Sequence, residues 1–380
     1  MKKKFLFSVA ILLVFLSFFS CGFTQANQLD IKSKSAILLS ADTGEILYQH
    51  NADEKRPIAS MVKIMTLLLC FDNIQNGKIN FDDNVVISHK SSSMGGSQAF
   101  LDEGKVYKAE DLIKSIIIAS ANDSCVAMAE HISGSVEDFV IEMNKKAKQL
   151  EMNDTIFVNC TGLPVPGQFS TAKDVSKMFN ALIKHPQYFK YTTIWMEDFV
   201  HPDGRVTGLT NTNKLIRQYN GCDAGKTGYT SEAMHCLAAT AIRNDMRLIS
   251  VIVGGPDSKT RFNENKMLFD YGFANYQTKI YLKQGEIAPQ QAEISSGKTK
   301  NINAIAQEKL VLFGEKGKKQ GDLVIEFNKN LKAPIKQGDI IGKAMIKDGE
   351  KILAQTNLLA ESDVFKSNLF DNIKQILQKW

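Results

Sequence analysis

Ser60 and Lys63 are the first residues of this chain whose types and spacing could do covalent chemistry. Three positions apart at the start of a helix, their side chains share a face, within reach of a hydrogen bond. A serine hydroxyl is a poor nucleophile until a neighbour takes its proton, and no histidine lies near the motif. The base must then be the lysine. At an ordinary pKa of about 10.4 only about one lysine in 2,500 is neutral at pH 7, so the site has to lower that value by about three, worth about 4 kcal/mol. Burial and a second cation are the means, and Lys226, in Lys226-Thr227-Gly228, is the candidate second cation. Acyl transfer sets the other requirements, since an attacked carbonyl becomes an oxyanion that needs two fixed N–H donors. The N–H of Ser60 can be one. A strand edge over Lys226 to Tyr229 can offer the other, with Gly228 leaving room for a substrate alongside and Thr227 suited to a terminal carboxylate. In Ser120-Ala121-Asn122, Ser120 is placed to pass a proton to a departing amine and Asn122 to hold the substrate's amide.

These motifs need elements to bring them together. Ser-x-x-Lys also occurs at Ser170 to Lys173 and Ser295 to Lys298, whereas Ser-x-Asn and Lys-Thr-Gly each occur once, so order and separation carry the specificity. Ala36 to Leu39 and Ile46 to Tyr48 read as a hairpin turning on Asp42 and Gly44. An apolar helix from Ser60 to Phe71 opens soon after Pro57, a residue suited to a helix's first turn. Apolar spacing of three and four predicts helices over Asp111 to Ile132 and Val136 to Leu150, and Ser170, Thr171 and Asp174 form a capped helix start. Cys236 to Ile242 and Arg247 to Val253 are strand-like, joined by a turn at Asn244 to Met246. Strands at both ends with helices between predict a mixed α/β domain, a sheet flanked and covered by helices.

From about Tyr276, short alternating runs such as Ile302 to Ala306, Leu310 to Phe313 and Leu323 to Phe327 predict a small β domain, with a hairpin turn at Asp348 and Gly349. Val364 to Trp380 then places Phe365, Leu369, Ile373, Ile376, Leu377 and Trp380 on one helical face, with Lys366, Lys374 and Lys379 on the other. That is the pattern of an interfacial membrane anchor, docking on the protein itself or a partner being the alternative. At the other end, Lys2 to Lys4 precede an apolar run from Phe5 to Phe19, the layout of a secretory signal. Cleavage after Ala26 is preferred, with lipoprotein processing at Cys21 as the alternative. Loss of the three lysines lowers the formal net charge from +5 to +2, which leaves no nucleic-acid footprint. Cys70, Cys125, Cys160, Cys222 and Cys236 remain, an odd number without a Cys-x-x-Cys pair or a histidine at metal-ligand spacing. Neither a disulfide framework nor a zinc site is expected.

Taken together, the motifs resemble the D-alanyl-D-alanine carboxypeptidase family, the low-molecular-mass penicillin-binding proteins (serine peptidase family S11). The likeness is carried by Ile58-Ala59-Ser60 with Lys63-Ile64-Met65-Thr66, by Ser120-Ala121-Asn122-Asp123, by Phe157-Val158-Asn159 with Thr161-Gly162-Leu163, and by Gly225 through Ala233. It spans nearly the whole mature chain. Val62 stands where threonine is usual and Cys160 where proline is common; neither removes a catalytic group.

The resemblance implies a signal peptide at 1–26, a β-lactamase/transpeptidase-like domain at 27–275, a small β-sandwich-like domain at 276–361 and an amphipathic anchor helix at 362–380. It implies removal of the terminal D-alanine from peptidoglycan stem pentapeptides through an acyl-serine, acylation by β-lactams, no metal or organic cofactor, no nucleic-acid partner, and attachment to the outer face of the cytoplasmic membrane. Ser60 becomes the nucleophile, Lys63 the base, Ser120 and Asn122 relay and substrate holder, and Lys226 and Thr227 the electrostatic and carboxylate-binding groups. The Tyr229 N–H becomes the second oxyanion donor. Arg261 resembles a family arginine that orients the substrate carboxylate, a surface ion pair being its alternative. A β-lactamase usually carries Asp in the middle motif, where this chain has Ala121, and adds a Glu for deacylation. Endopeptidase or transpeptidase activity would use the same acyl-serine, and a silent wall-binding or β-lactam-sensing module would keep the fold without turnover.

Overall fold

The computed structural model describes residues 29–318, 320–368 and 371. The signal expected at 1–26 lies outside the described residues, as do 369, 370 and 372–380 of the expected anchor.

Five strands, β1 (Ser35–Ser40), β2 (Ile46–His50), β3 (Cys222–Thr230), β4 (Met234–Arg243) and β5 (Met246–Gly255), form an antiparallel sheet in the order β2-β1-β5-β4-β3. The start and end of the domain therefore meet, Ser35 opposite Val253, and β3 with its Lys-Thr-Gly motif lies at an edge. Asn244 and Asp245 both take positive φ, 49° and 59°, the turn whose twist matches the hairpin strands β4 and β5.

Among the described residues six helices of more than ten residues pack with the sheet: α1 (Lys63–Gln75), α2 (Ala109–Ala119), α3 (Asn122–Ser133), α4 (Val136–Gln149), α5 (Ala172–Leu182) and α6 (Ser258–Asn275). Strand alternation sorts the two faces. Ile37, Leu39, Ile249, Val251 and Val253 join the core built with α1 to α5. Leu38 and Leu248 face α6 so closely that a Cβ on Gly272 would stand 3.0 Å and 2.5 Å from them. Glycine there lets the helix lie on the sheet.

Two helix expectations change. The helix expected from Ser60 opens as a 3-10 turn over Ala59–Val62 and becomes α-helical at Lys63. The single helix expected over Asp111 to Ile132 is two, because Ser120 takes a left-handed conformation (φ 65°, ψ 34°) that ends α2, and α3 restarts at Asn122. L residues avoid that region by about 1–2 kcal/mol, so tertiary contacts hold the break. Ala121 N–H donates to Ser115 O, and Asn122 N–H to Ser97 O. Apolar spacing runs through the break and cannot reveal it.

Helix α6 passes without a linker into β6 (Tyr276–Leu282), which pairs with β8 (Leu310–Glu315). A second sheet runs β7-β11-β10-β9, from β7 (Ala304–Ala306), β11 (Lys351–Ala360), β10 (Ile340–Asp348) and β9 (Asp322–Phe327). Leu282, Ile302, Ile346, Leu358 and Val364 share its apolar core. Val364 opens the expected anchor helix but is extended here, bridging Ile335, and Lys366 bridges Gly297. Burial of the β-branched Val364 side chain in the β core overrides the helical periodicity at 364–368. Among the described residues no helix is long and apolar enough to cross a membrane.

Candidate active site

The turn that presents Ser60 is strained and closely supported. Ala59 has φ 46°, and a Cβ on Gly162 would stand 2.0 Å from the Ala59 carbonyl oxygen. Lys63, fully buried at 0 % exposure, donates from Nζ to Ser60 Oγ at 2.9 Å and to the Thr161 carbonyl at 2.6 Å. With the amine neutral, the first contact can reverse so that the hydroxyl donates. Lys226, 1 % exposed, donates to Ser120 Oγ at 2.8 Å and to the Thr227 carbonyl at 3.2 Å. The edge strand closes directly on Ser60. A Cβ on Gly228 would stand 2.8 Å from the Ile58 carbonyl oxygen and 3.1 Å from Ser60 N, so only glycine fits without displacement.

Both amines are held below the ordinary lysine range. At Lys63 the cause is burial, opposed by Cys125, Cys160 and Asp123. At Lys226 burial again leads, and the Lys63 ammonium lowers it further. Of the two expected means, burial leads at both amines, and the charge of one amine acting on the other enters at Lys226. Cys125 lies within the field of both, yet burial pushes its thiol up to about 12, so it stays protonated and is no rival nucleophile.

Each remaining expected residue lies on this frame. Asn122 donates from Nδ2 to the Gly95 carbonyl at 2.6 Å. Thr227 Oγ1 donates to Thr212 Oγ1 at 2.8 Å. The Tyr229 ring is exposed and stacks on His235, centroids 4.4 Å apart. Arg261 reaches β3 from α6, its Nη1 donating to the Gly228 carbonyl at 3.0 Å and the Cys236 carbonyl at 3.3 Å. It braces the backbones of the edge strand and of its neighbour β4, which is not a surface ion pair.

Sequence reasoning overlooked two supports. The Asp123 carboxylate accepts the N–H groups of Ala99 (3.0 Å), Leu101 (3.2 Å) and Ser124 (2.9 Å), which moors the loop carrying Gly95 and Ser97 beside Asn122. Asn159 Oδ1 accepts the N–H groups of Thr161 at 3.1 Å and Gly162 at 2.7 Å, which aims the Thr161 carbonyl at Lys63. Both stand inside segments that carry the family likeness; the available signals were the acid after the Ser-x-Asn motif and the Asn-x-Thr-Gly run.

A family model described as D-alanyl-D-alanine carboxypeptidase matches residues 23–257, and one described as penicillin-binding protein 5, C-terminal domain, matches 276–366. The chain belongs to the D-alanyl-D-alanine carboxypeptidase family. D-alanyl-D-alanine carboxypeptidase DacF of Bacillus subtilis is 36% identical, over 100% of this chain and 99% of that protein. DacA of Haemophilus influenzae, of the same description, is 32% identical over 90% and 88%. Among solved structures, penicillin binding protein 5 from Haemophilus influenzae superposes with a TM-score of 0.71 at 32% identity, covering 89% of this chain and 99% of that one. PBP3 from Streptococcus pneumoniae, described as a peptidoglycan synthesis regulatory factor, gives a TM-score of 0.74 at 27% identity, over 88% and 99%. This carboxypeptidase is thus a serine hydrolase with a transpeptidase-like α/β domain and a β-rich C-terminal domain. Acylation of a serine and binding of β-lactams are general features of its family.

Proposed function

We propose that the chain removes the terminal D-alanine from peptidoglycan stem pentapeptides, with Ser60 as the acylated residue. The reading is carried by two buried amines, each set on a serine hydroxyl, Lys63 on Ser60 at 2.9 Å and Lys226 on Ser120 at 2.8 Å. Ser60 Oγ attacks the carbonyl of the penultimate D-alanine while its proton passes to neutral Lys63. The C–N bond to the terminal D-alanine breaks as Ser120, bonded to Lys226, hands the departing amine a proton and takes in return the one Lys63 accepted from Ser60, which leaves Lys63 neutral again. Water then attacks the acyl-serine, gives its proton to Lys63, and the Ser60 hydroxyl returns. The N–H groups of Ser60 and Tyr229 receive the oxyanion, a preorganised arrangement needing no reorientation. Asn122 holds the substrate amide. Thr227, with Gly228 beside it, takes the terminal carboxylate, and Arg261 assists from behind the strand.

Residues 27–275 form the catalytic domain in this reading. The β domain spans 276–361, extended by the contacts of Val364 and Lys366, and the basic amphipathic tail holds the exported enzyme to the outer face of the cytoplasmic membrane. Release of D-alanine from a D-alanyl-D-alanine peptide tests the reaction. Ser60→Ala should lower it more than about a thousandfold, and mass spectrometry should find a penicillin adduct on the peptide bearing Ser60. A label elsewhere, or turnover unchanged in Ser60→Ala, overturns the assignment.

A further inference from the structure

The β-rich domain carries a hollow that peptide hydrolysis does not use. About 600 Å³ in volume, it is lined by Gln290, Gln291, Phe327, Asn328, Asn330 and Leu331. Through Glu293, Ile294 and Ser295 it adjoins a second hollow of about 380 Å³ bordered by Ser296, Lys300 and Asn301.

The amides in the lining have a readable orientation. A carboxylate only accepts, so the Glu361 Oε2 contact at 2.9 Å fixes Asn303 with its Nδ2 toward the acid. Asn303 Oδ1 must then face Gln291, whose Nε2 donates to it at 2.7 Å. That leaves Gln291 Oε1 as an acceptor. Asn328 is set the same way, Nδ2 donating to the Ile340 carbonyl at 3.0 Å and Oδ1 left as an acceptor. Ser295 Oγ ties the two loops by donating to the Leu331 carbonyl at 2.9 Å. Asn330 and Ser296 are held at φ 61° and 58°, backbone conformations that the fold must impose.

Oriented carbonyl acceptors, further amides at Gln290 and Asn330, and the half-buried ring of Phe327 suit a neutral polymer of hydroxyl and acetamido groups. A polyanion would call for a cluster of cations, whereas the lining of the adjoining hollow carries the acid Glu293 as well as Lys300. We infer that the hollow binds the N-acetylated glycan strand that bears the stem peptides. The inference rests on the carboxypeptidase reading, which supplies such a substrate. Holding the strand raises the local concentration of stem peptides at Ser60 without altering the chemical step.

The experiment compares two substrates of the full chain: soluble stem pentapeptide, and uncrosslinked glycan strands that carry it. Gln290→Ala, Gln291→Ala and Asn328→Ala together should raise KM on the strands about tenfold, the loss of two or three neutral hydrogen bonds. Turnover number and soluble-peptide kinetics should not move. Calorimetry with peptide-free N-acetylated glycan oligomers should show saturable binding to the unaltered protein and none to the triple variant. No binding of those oligomers to the unaltered protein overturns the inference whatever the variant does, and so does sugar-free stem peptide competing for the hollow. If the unaltered protein instead releases no D-alanine from soluble peptide, the carboxypeptidase reading fails while glycan binding is still measured on its own.

Discussion

At the scale of single residues, the chemistry depends on where one proton resides. Lys63 and Lys226 are both kept from their ordinary protonation, chiefly by burial, and the second amine feels the first. In the proposed mechanism only the form with Lys63 neutral can take the Ser60 proton, so acylation should fall as pH drops through the lowered pKa and rise above it. The profile of kcat/KM for D-alanine release should therefore show an acidic limb below the ordinary lysine value of about 10.4. Lys63→Arg, whose guanidinium does not deprotonate, should stay unacylated by penicillin across the whole range. A limb at the ordinary lysine value, or acylation of that variant, would place the base elsewhere.

At the scale of elements, the site is held by backbone groups of loops that sit far from it in sequence. Gly162 has φ 82°, and its near contact with the Ala59 carbonyl leaves no room for a side chain. Gly162→Ala should thus destabilise the fold by more than the roughly 1–2 kcal/mol of left-handed strain alone. It should also slow acylation more than it weakens substrate binding, because the same loop aims the Thr161 carbonyl at Lys63. Asp123→Ala would strand two N–H groups on the mooring loop, those of Ala99 and Leu101, and the Ser124 N–H in the first turn of α3, each costing about 1–3 kcal/mol if left unpaired. Denaturant melts and penicillin acylation rates on the two variants check both points. Capped starts and hairpin turns were legible in the chain: Thr171 Oγ1 does accept the Asp174 N–H at 3.0 Å. The break at Ser120 was not, since its cause is a contact with Ser97 rather than any residue preference.

At the scale of the whole molecule, the two domains meet through a continuous joint. Helix α6 runs straight into β6, Lys316 donates from Nζ to the Phe273 carbonyl at 2.7 Å, and Tyr276 stacks on Phe313 with centroids 5.5 Å apart. The tail then leaves from a β core that includes Val364, 3 % exposed. Deleting residues 369–380 should leave soluble-peptide turnover within about twofold of the full chain and abolish binding to phospholipid vesicles. Deleting from 362 should in addition cost about 1.5–3 kcal/mol, the burial of one valine side chain. Vesicle flotation and thermal melts separate the two effects, and vesicle binding that survives the shorter deletion would move the anchor elsewhere.

The candidate reacting groups were legible in the sequence by itself, because nucleophile, base and amide holder differ in side-chain chemistry and occur in rare, ordered motifs. So was the division into an α/β part and a β part, since the change from helical to alternating periodicity near Tyr276 is local. Tertiary structure decided how those groups are controlled. The Lys226 contact to Ser120 spans 106 positions and the Lys63 contact to Thr161 spans 98, distances over which spacing says nothing. Every residue but proline carries the same N–H and C=O, so the supports supplied by Ser97, Ala99, Thr161 and Gly228 leave no mark in residue type. They exist only once the sheet has put β3 at its edge and closed it against the turn at Ser60.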